Sequence, residues 1–183
     1  MRPGAASIPT IALLLAVATA SLPGSASAQQ APQARDIPQS LTVEHEETLA
    51  RLTKLAERPP PVGPQARKVL ELYKEHTARE QAFILPPLTL LLPMSEGKVT
   101  PDMRWAIPMT DRVRAEQEKI YVEHATMIDE LNLLLEAART ANDADAIDFA
   151  QTAAADSLND MELLVPMVLV IGDYLHAKLP PAQ

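Results

Sequence analysis

Apolar side chains recur along this chain at helical spacing, and prolines cut the recurrence into four runs. From 40 to 57 the stripe is Leu41, Thr48/Leu49, Leu52 and Leu55/Ala56, with Ser40 as N-cap and Arg58-Pro59-Pro60-Pro61 as the stop. From 64 to 85 it is Ala66, Val69/Leu70, Tyr73 and Phe83/Ile84. Pro64 sits where a first-turn proline is tolerated, and Pro86-Pro87 stop or kink the helix. From 110 to 140, behind a cap at Thr110 or Asp111, the stripe is Val113, Gln117, Ile120, His124, Met127/Ile128, Leu131, Leu134/Leu135 and Ala138. After a turn at 141–144, a fourth helix is predicted over 145–178 with a kink at Pro166. Its inward face reads Phe149, Ala153, Asp156, Asp160, Leu164, Met167, Ile171 and Tyr174. No stretch alternates with the period of a strand. The pattern predicts an all-α fold, an antiparallel four-helix bundle. Residues 86–108 form its long proline-rich crossover loop between helices two and three, with a short helical or hydrophobic turn around the run from Leu88 to Leu92, packed over the domain. It is expected to cap one end of the bundle and control access to its interior.

The segment ahead of the helices has a different composition. Residues 1–28 read as a secretory signal peptide: Arg2, an apolar core from Ile11 to Ala18, and Ala26-Ser27-Ala28 as a small-residue cleavage site. The core falls short of the roughly 20 residues that span a bilayer. Residues 29–39 are a flexible lead-in poor in large apolar side chains, and residues 40–179 form the domain. The expected location is periplasmic or secreted. No later segment reads as transmembrane; the longest apolar stretch, 163–172, is interrupted by Pro166.

Composition narrows the chemistry. The 183 residues carry 16 Lys and Arg against 24 Asp and Glu, a formal charge of −8, which argues against a nucleic-acid partner. The absence of Cys removes thiolate metal sites, iron–sulfur clusters, disulfides and a cysteine nucleophile. With five Gly there is no phosphate-binding glycine motif. Ser95 and Ser157 stand in no nucleophile motif, and no enzyme activity is predicted.

Three of the four His fall on apolar stripes. His45 continues Leu41, Leu49 and Leu52. His76 follows Tyr73, and Glu80, four residues on, shares its face. His124 lies between Ile120 and Met127. An ionisable group on a buried face is costly unless paired, and a lone core His commonly bonds a carbonyl. Three on successive helices with a Glu are satisfied together by a metal that accepts imidazole and carboxylate: iron, manganese or zinc. Glu-x-x-His of the ferritin kind is missing, although Asp173 and His176 approach it, and so is HExxH. Trp105 reads as a packing anchor. Tyr73 and Tyr121, each three residues before a His, are either core packing or hydrogen-bond partners of a ligand. The Glu residues preceding His at 44, 75 and 123 read as solvated helix surface.

His45, His76-Thr-Ala-Arg-Glu80 with the apolar run to Pro86, and His124 resemble the hemerythrin-like, HHE cation-binding family over about 40–178. The resemblance implies an antiparallel four-helix bundle with a non-haem iron centre, di-iron in the family. It implies His45, His76, Glu80 and His124 as ligands. A second His-x-x-x-Glu is expected on helix four, where this chain departs from the pattern. Aligning Pro166 with Pro86 puts Asp156 and Asp160 at those positions; the other register takes Glu162 as the carboxylate with Leu158 in place of the His. The first is favoured. One family imidazole is absent in either, so a di-iron centre, a single metal and a metal-free bundle are all compatible with the chain. The implied function is O2 or NO binding, sensing, or iron handling, with sensing requiring a protein partner. Two other readings stand beside it: a metal-free helical interaction or scaffold protein of the envelope, and a zinc or copper carrier using His45, His76 and His124.

Overall fold

Helical periodicity governs almost every residue from Gln39 to Lys178 in the computed structural model, which describes residues 35–179. The leader at 1–28 and the first part of the lead-in lie outside the described residues. Among those residues there is no strand, and no helix is long and apolar enough to cross a membrane. The elements are α1 (Gln39–Ala56), α2 (Val62–Arg79), the short α3 (Leu91–Ser95), α4 (Ile107–Ala141), α5 (Ala144–Asn159) and α6 (Val165–Lys178). α1 packs on α2, α2 on α4, and α4 on both α5 and α6, while α5 also touches α1.

The helix ends differ from expectation in ways the backbone explains. Ser40 is not a cap: α1 begins one residue earlier, after Pro38, and no side chain caps it. Neither Thr110 nor Asp111 caps α4, which starts at Ile107 with Pro108 in its first turn. The Thr110 hydroxyl donates instead to the Ile107 carbonyl at 2.9 Å. α4 stops at Asn142, which takes a left-handed conformation (φ 54°). Asp143 then caps α5 by accepting the Ala146 N–H at 3.2 Å. The three prolines after Arg58 turn the chain so tightly that a Cβ on Gly63 would lie 1.9 Å from the Arg58 carbonyl oxygen.

The proline-rich segment is ordered rather than a plain loop. 3₁₀ turns at Pro86–Leu90 and Pro101–Ala106 flank α3, and Leu88, Leu90, Met103 and Ala106 are buried. The segment therefore belongs to the core as well as covering it.

Two π-helical turns interrupt what the sequence predicts as regular helix. One, Glu80–Ile84, follows α2; the other, Asp160–Leu164, joins α5 to α6. Each ends one residue short of the dipeptide that introduces a proline, Leu85-Pro86 and Val165-Pro166. Proline has no N–H to give to the carbonyl four residues back, and its ring crowds that carbonyl. The preceding residue bonds one position further back: the Leu85 N–H donates to Glu80 O at 2.9 Å, and the Val165 N–H donates to Asp160 O.

The second π turn corrects the expected face of helix four. Its extra residue advances the register by one, so the buried positions beyond it are Val165, Val168, Gly172 and Leu175, together with Ile171, which was expected there. The expected Met167 and Tyr174 are 39% and 37% exposed instead.

The apolar core forms two blocks. One joins Leu52, Val69, Leu70, Met127, Leu131, Leu134 and Phe149. The other joins Phe83, Ile84, Val113, Ile120, Val165, Val168 and Leu175. On α4 the blocks are separated at His124, on the α2 run at His76 and Glu80, and on the α5–α6 run at Asp160.

Candidate metal centre

The layer between the two apolar blocks gathers His76, Glu80, His124 and Asp160. One ligand-type atom from each lies within 4.8 Å of all the others. Glu80 and His124 are each 1% exposed and His76 is 6% exposed; Asp160 is half-buried. Glu80 is central. Its Oε2 lies 3.3 Å from His76 Nε2 and 3.3 Å from His45 Nε2, and its Oε1 lies 3.9 Å from His124 Nε2. Asp160 Oδ2 approaches the same His124 nitrogen at 3.8 Å. The His76 and His124 rings meet edge to face, with centroids 4.6 Å apart.

Two of the imidazoles, His124 and His76, are oriented from behind. His124 Nδ1 lies 2.9 Å from the Ile120 carbonyl, which places the proton on Nδ1 and leaves Nε2 as a lone pair facing the carboxylates. His76 turns Nδ1 toward Glu123 at 3.8 Å, and Arg79 holds Glu123 with a hydrogen bond. Outer partners of this kind fix ring orientation in metal sites.

The electrostatics are those of a tightly paired set. Burial alone would raise the Glu80 pKa, but hydrogen bonds from His45 and His76 outweigh it and hold the group at about 2. Burial disfavours the His76 imidazolium, yet Glu123 and Glu80 together raise its pKa to about 10. Pairing with His76 lowers the Glu123 pKa. At the neighbouring edge, burial and then the charges of Asp156 and Asp160 raise the Glu44 pKa. Asp156 is raised by burial and by Asp160.

Pairing leaves three buried polar atoms without a hydrogen-bond partner among the described residues: His124 Nε2, Glu80 Oε1 and His45 Nδ1. Unsatisfied buried polar atoms are uncommon. Two of these, His124 Nε2 and Glu80 Oε1, face each other as lone-pair donors. A cation between them would satisfy both, so the buried His, Glu and Asp cluster can hold a metal ion.

The remaining expected residues fall nearby or elsewhere. His45 contacts the cluster through Glu80. Asp156 stands outside the four-residue set and, with Glu44, His45 and Tyr73, lines an adjoining cavity of about 20 Å³, room for about one water-sized occupant. Tyr73 sits between the two imidazoles, 5.9 Å from His45 and 6.1 Å from His76, and burial raises its pKa. Tyr121 instead packs beside the second apolar block. Glu162 is exposed and Leu158 is 46% exposed, so the alternative register points to solvent. His176 is exposed and pairs with Asp111 at 2.8 Å. The cation of Arg35 lies 4.9 Å from the Trp105 ring centroid.

One contributor escaped the sequence reading: Glu123, half-buried, which precedes a buried His by one residue. A step of one turns a helical side chain by about 100°, from the inward stripe to its flank, where a neighbouring helix lies. Glu44 and Glu75, at the same offset before His45 and His76, are exposed. Comparison of the chain with family models, curated proteins and solved structures finds no match.

Proposed function

We propose that this chain is an exported hemerythrin-like protein, an antiparallel four-helix bundle holding non-haem iron in its central polar layer. His76, Glu80, His124 and Asp160 would hold the metal, with His45 at its edge and Asp156 as a further carboxylate. Iron in such a set would supply an open coordination position for a small ligand such as O2 or NO. The chain's own part is to orient the imidazoles through Glu123 and Ile120 and to keep the layer dry between two apolar blocks. The protein serves ligand binding, sensing with a partner, or iron handling, in the periplasm or outside the cell.

The observation that carries this reading is the facing pair of unpartnered buried atoms, His124 Nε2 and Glu80 Oε1. A metal-free scaffold has no use for them. The test is metal content and visible spectrum of the purified protein. Stoichiometric iron, lost in His76→Ala and His124→Ala, is expected. Zinc or copper in its place would make the protein a metal carrier. A metal-free protein whose folding survives both substitutions would overturn the proposal in favour of the scaffold reading.

A further inference from the structure

Beside the polar layer, α1, the proline-rich segment and the π turn at Asp160–Leu164 enclose a groove of about 680 Å³. Small-molecule sites commonly measure about 300–1,000 Å³. Leu41, Leu88, Leu92, Leu163 and Met167 line most of it. Leu92 is 70% exposed and Leu163 61% exposed, although the adjacent core had room for apolar side chains. Single exposed apolar residues need no explanation, but several on one concave wall mark a binding surface.

The groove changes character toward the polar layer. Glu44, Asp156 and Asp160 also line it, and no Lys, Arg or His does so among the described residues. The wall is therefore apolar along most of its length and anionic at one side. A neutral apolar occupant would strip water from these carboxylates and return no counter-charge. An anionic amphiphile would be repelled by them. An alkyl chain ending in a cation satisfies both parts of the wall.

We infer that this groove binds a cationic amphiphile, its alkyl chain along Leu41, Leu88, Leu92, Leu163 and Met167 and its ammonium head at Glu44 and Asp156. This goes beyond the metal reading: the groove shares only Asp160 with the four-residue cluster, and Asp156 with the wider ligand set proposed above. Binding is expected in metal-stripped protein, so its failure there leaves the metal reading standing.

The test is calorimetric titration of the purified full chain with decyltrimethylammonium, decanoate and the neutral decyl maltoside, each below its micellar concentration. Saturable one-to-one binding of decyltrimethylammonium is expected, with decanoate at least about tenfold weaker. Glu44→Gln with Asp156→Asn should weaken the cationic ligand by about tenfold and leave decyl maltoside no weaker than in wild type. Leu92→Lys with Leu163→Lys changes two solvent-exposed side chains and should abolish binding of the cationic ligand while helicity by circular dichroism stays at the wild-type level. Equal affinity for decanoate, non-saturable uptake, or binding that survives the Leu92→Lys/Leu163→Lys variant would overturn the inference. So would self-association of the wild type that this variant abolishes, since the groove would then belong to a second copy of the chain.

Discussion

Replacing His124 by Leu should leave metal-free protein almost as stable as wild type and cost stability when metal is present. His124 is 1% exposed and its Nε2 has no hydrogen-bond partner. A buried unsatisfied polar atom costs about 1–3 kcal/mol. His124→Leu removes that atom and supplies an apolar side chain of similar size, next to Ile120 and Met127 on the same stripe. It also loses the edge-to-face contact with His76 and the Nδ1–H bond to the Ile120 carbonyl, each worth about 0.5–1.5 kcal/mol. Gain and losses cancel to within about 1 kcal/mol, which for a chain of this length is about 2–4 °C in Tm.

With metal present the balance tips against the variant. A ligand at a hundredfold excess over its Kd stabilises the native state by about 2.7 kcal/mol, and the variant forfeits this with its ligand atom. The assay is thermal unfolding of both proteins, followed by circular dichroism, in chelator and in excess ferrous iron under anaerobic conditions. The two should melt close together in chelator, and wild type should melt well above the variant in iron. A variant destabilised by the same large amount in both conditions would refute the reasoning, because His124 would then belong to a satisfied structural network.

Three further outcomes are expected. In metal-free protein, Glu80 is held at about 2, below its ordinary value of 4.5, so its stabilisation is present above 4.5 and lost as pH falls toward 2; His76 is raised to about 10 from 6.5, so its share is full below 6.5 and lost as pH rises through 10. Denaturant midpoints across pH should therefore fall on both sides of a plateau, and Glu80→Gln should remove the acid-side fall while part of the alkaline fall, held by Glu123, persists. Pro166→Ala restores a backbone donor and should let Asp160–Leu164 relax toward regular helix, turning Asp160 away and weakening metal binding on the order of tenfold or more by direct titration; unchanged affinity would count against the π turn as the positioning device. Gly172→Ala places a Cβ 2.6 Å from Thr110 Oγ1 and 2.7 Å from its Cβ, so α6 must move off α4. Overpacking of this kind costs about 1–3 kcal/mol, more than the helix-propensity gain of about 1, and should lower the Tm.

Periodicity carried the sequence reading as far as a regular helix extends. The stripes through Leu52, Val69, Ile120 and Leu131 are buried as spacing predicts, and His45, His76 and His124 on those stripes are buried with them. The reading failed where the helix stops being regular. Beyond Asp160 the inward face shifts by one residue because the π turn adds one, and no hydrophobic period of 3.6 contains that insertion. Glu123 was illegible for another reason. It sits on a flank that is polar in an isolated helix, and the adjoining α2 segment decides what it meets. In the proline-rich segment one short turn near Leu88–Leu92 was legible, while the 3₁₀ turns on either side leave little periodic trace.

The two π turns explain how carboxylates come to stand inside an otherwise apolar interior. Glu80 and Asp160 are each the first residue of such a turn, and each lies six residues before a proline. In a regular α-helix a residue shares its face with those three and four positions on. After Glu80 that would bury Phe83 and Ile84 and then turn away, yet Phe83, Ile84, Leu85 and Pro86 are all buried in succession. The wider turn permits this by spreading one extra residue around the axis. The carboxylate can thus face the polar layer while the following apolar residues restart their stripe against the second block. The same device at Asp160 puts Val165 and Val168 into that block. Proline enforces the turn by withholding its N–H, so the metal-ligand geometry and the packing beneath it are set by one local backbone feature. Acidic residue and proline spacing alone does not mark the site, since Asp102 stands six residues before Pro108 and is exposed; the spacing acts here inside continuous helix. The π turn also fits Asp160, rather than Glu162, reaching the cluster: Asp160 opens the turn on the inward face, and Glu162, two residues on, is exposed.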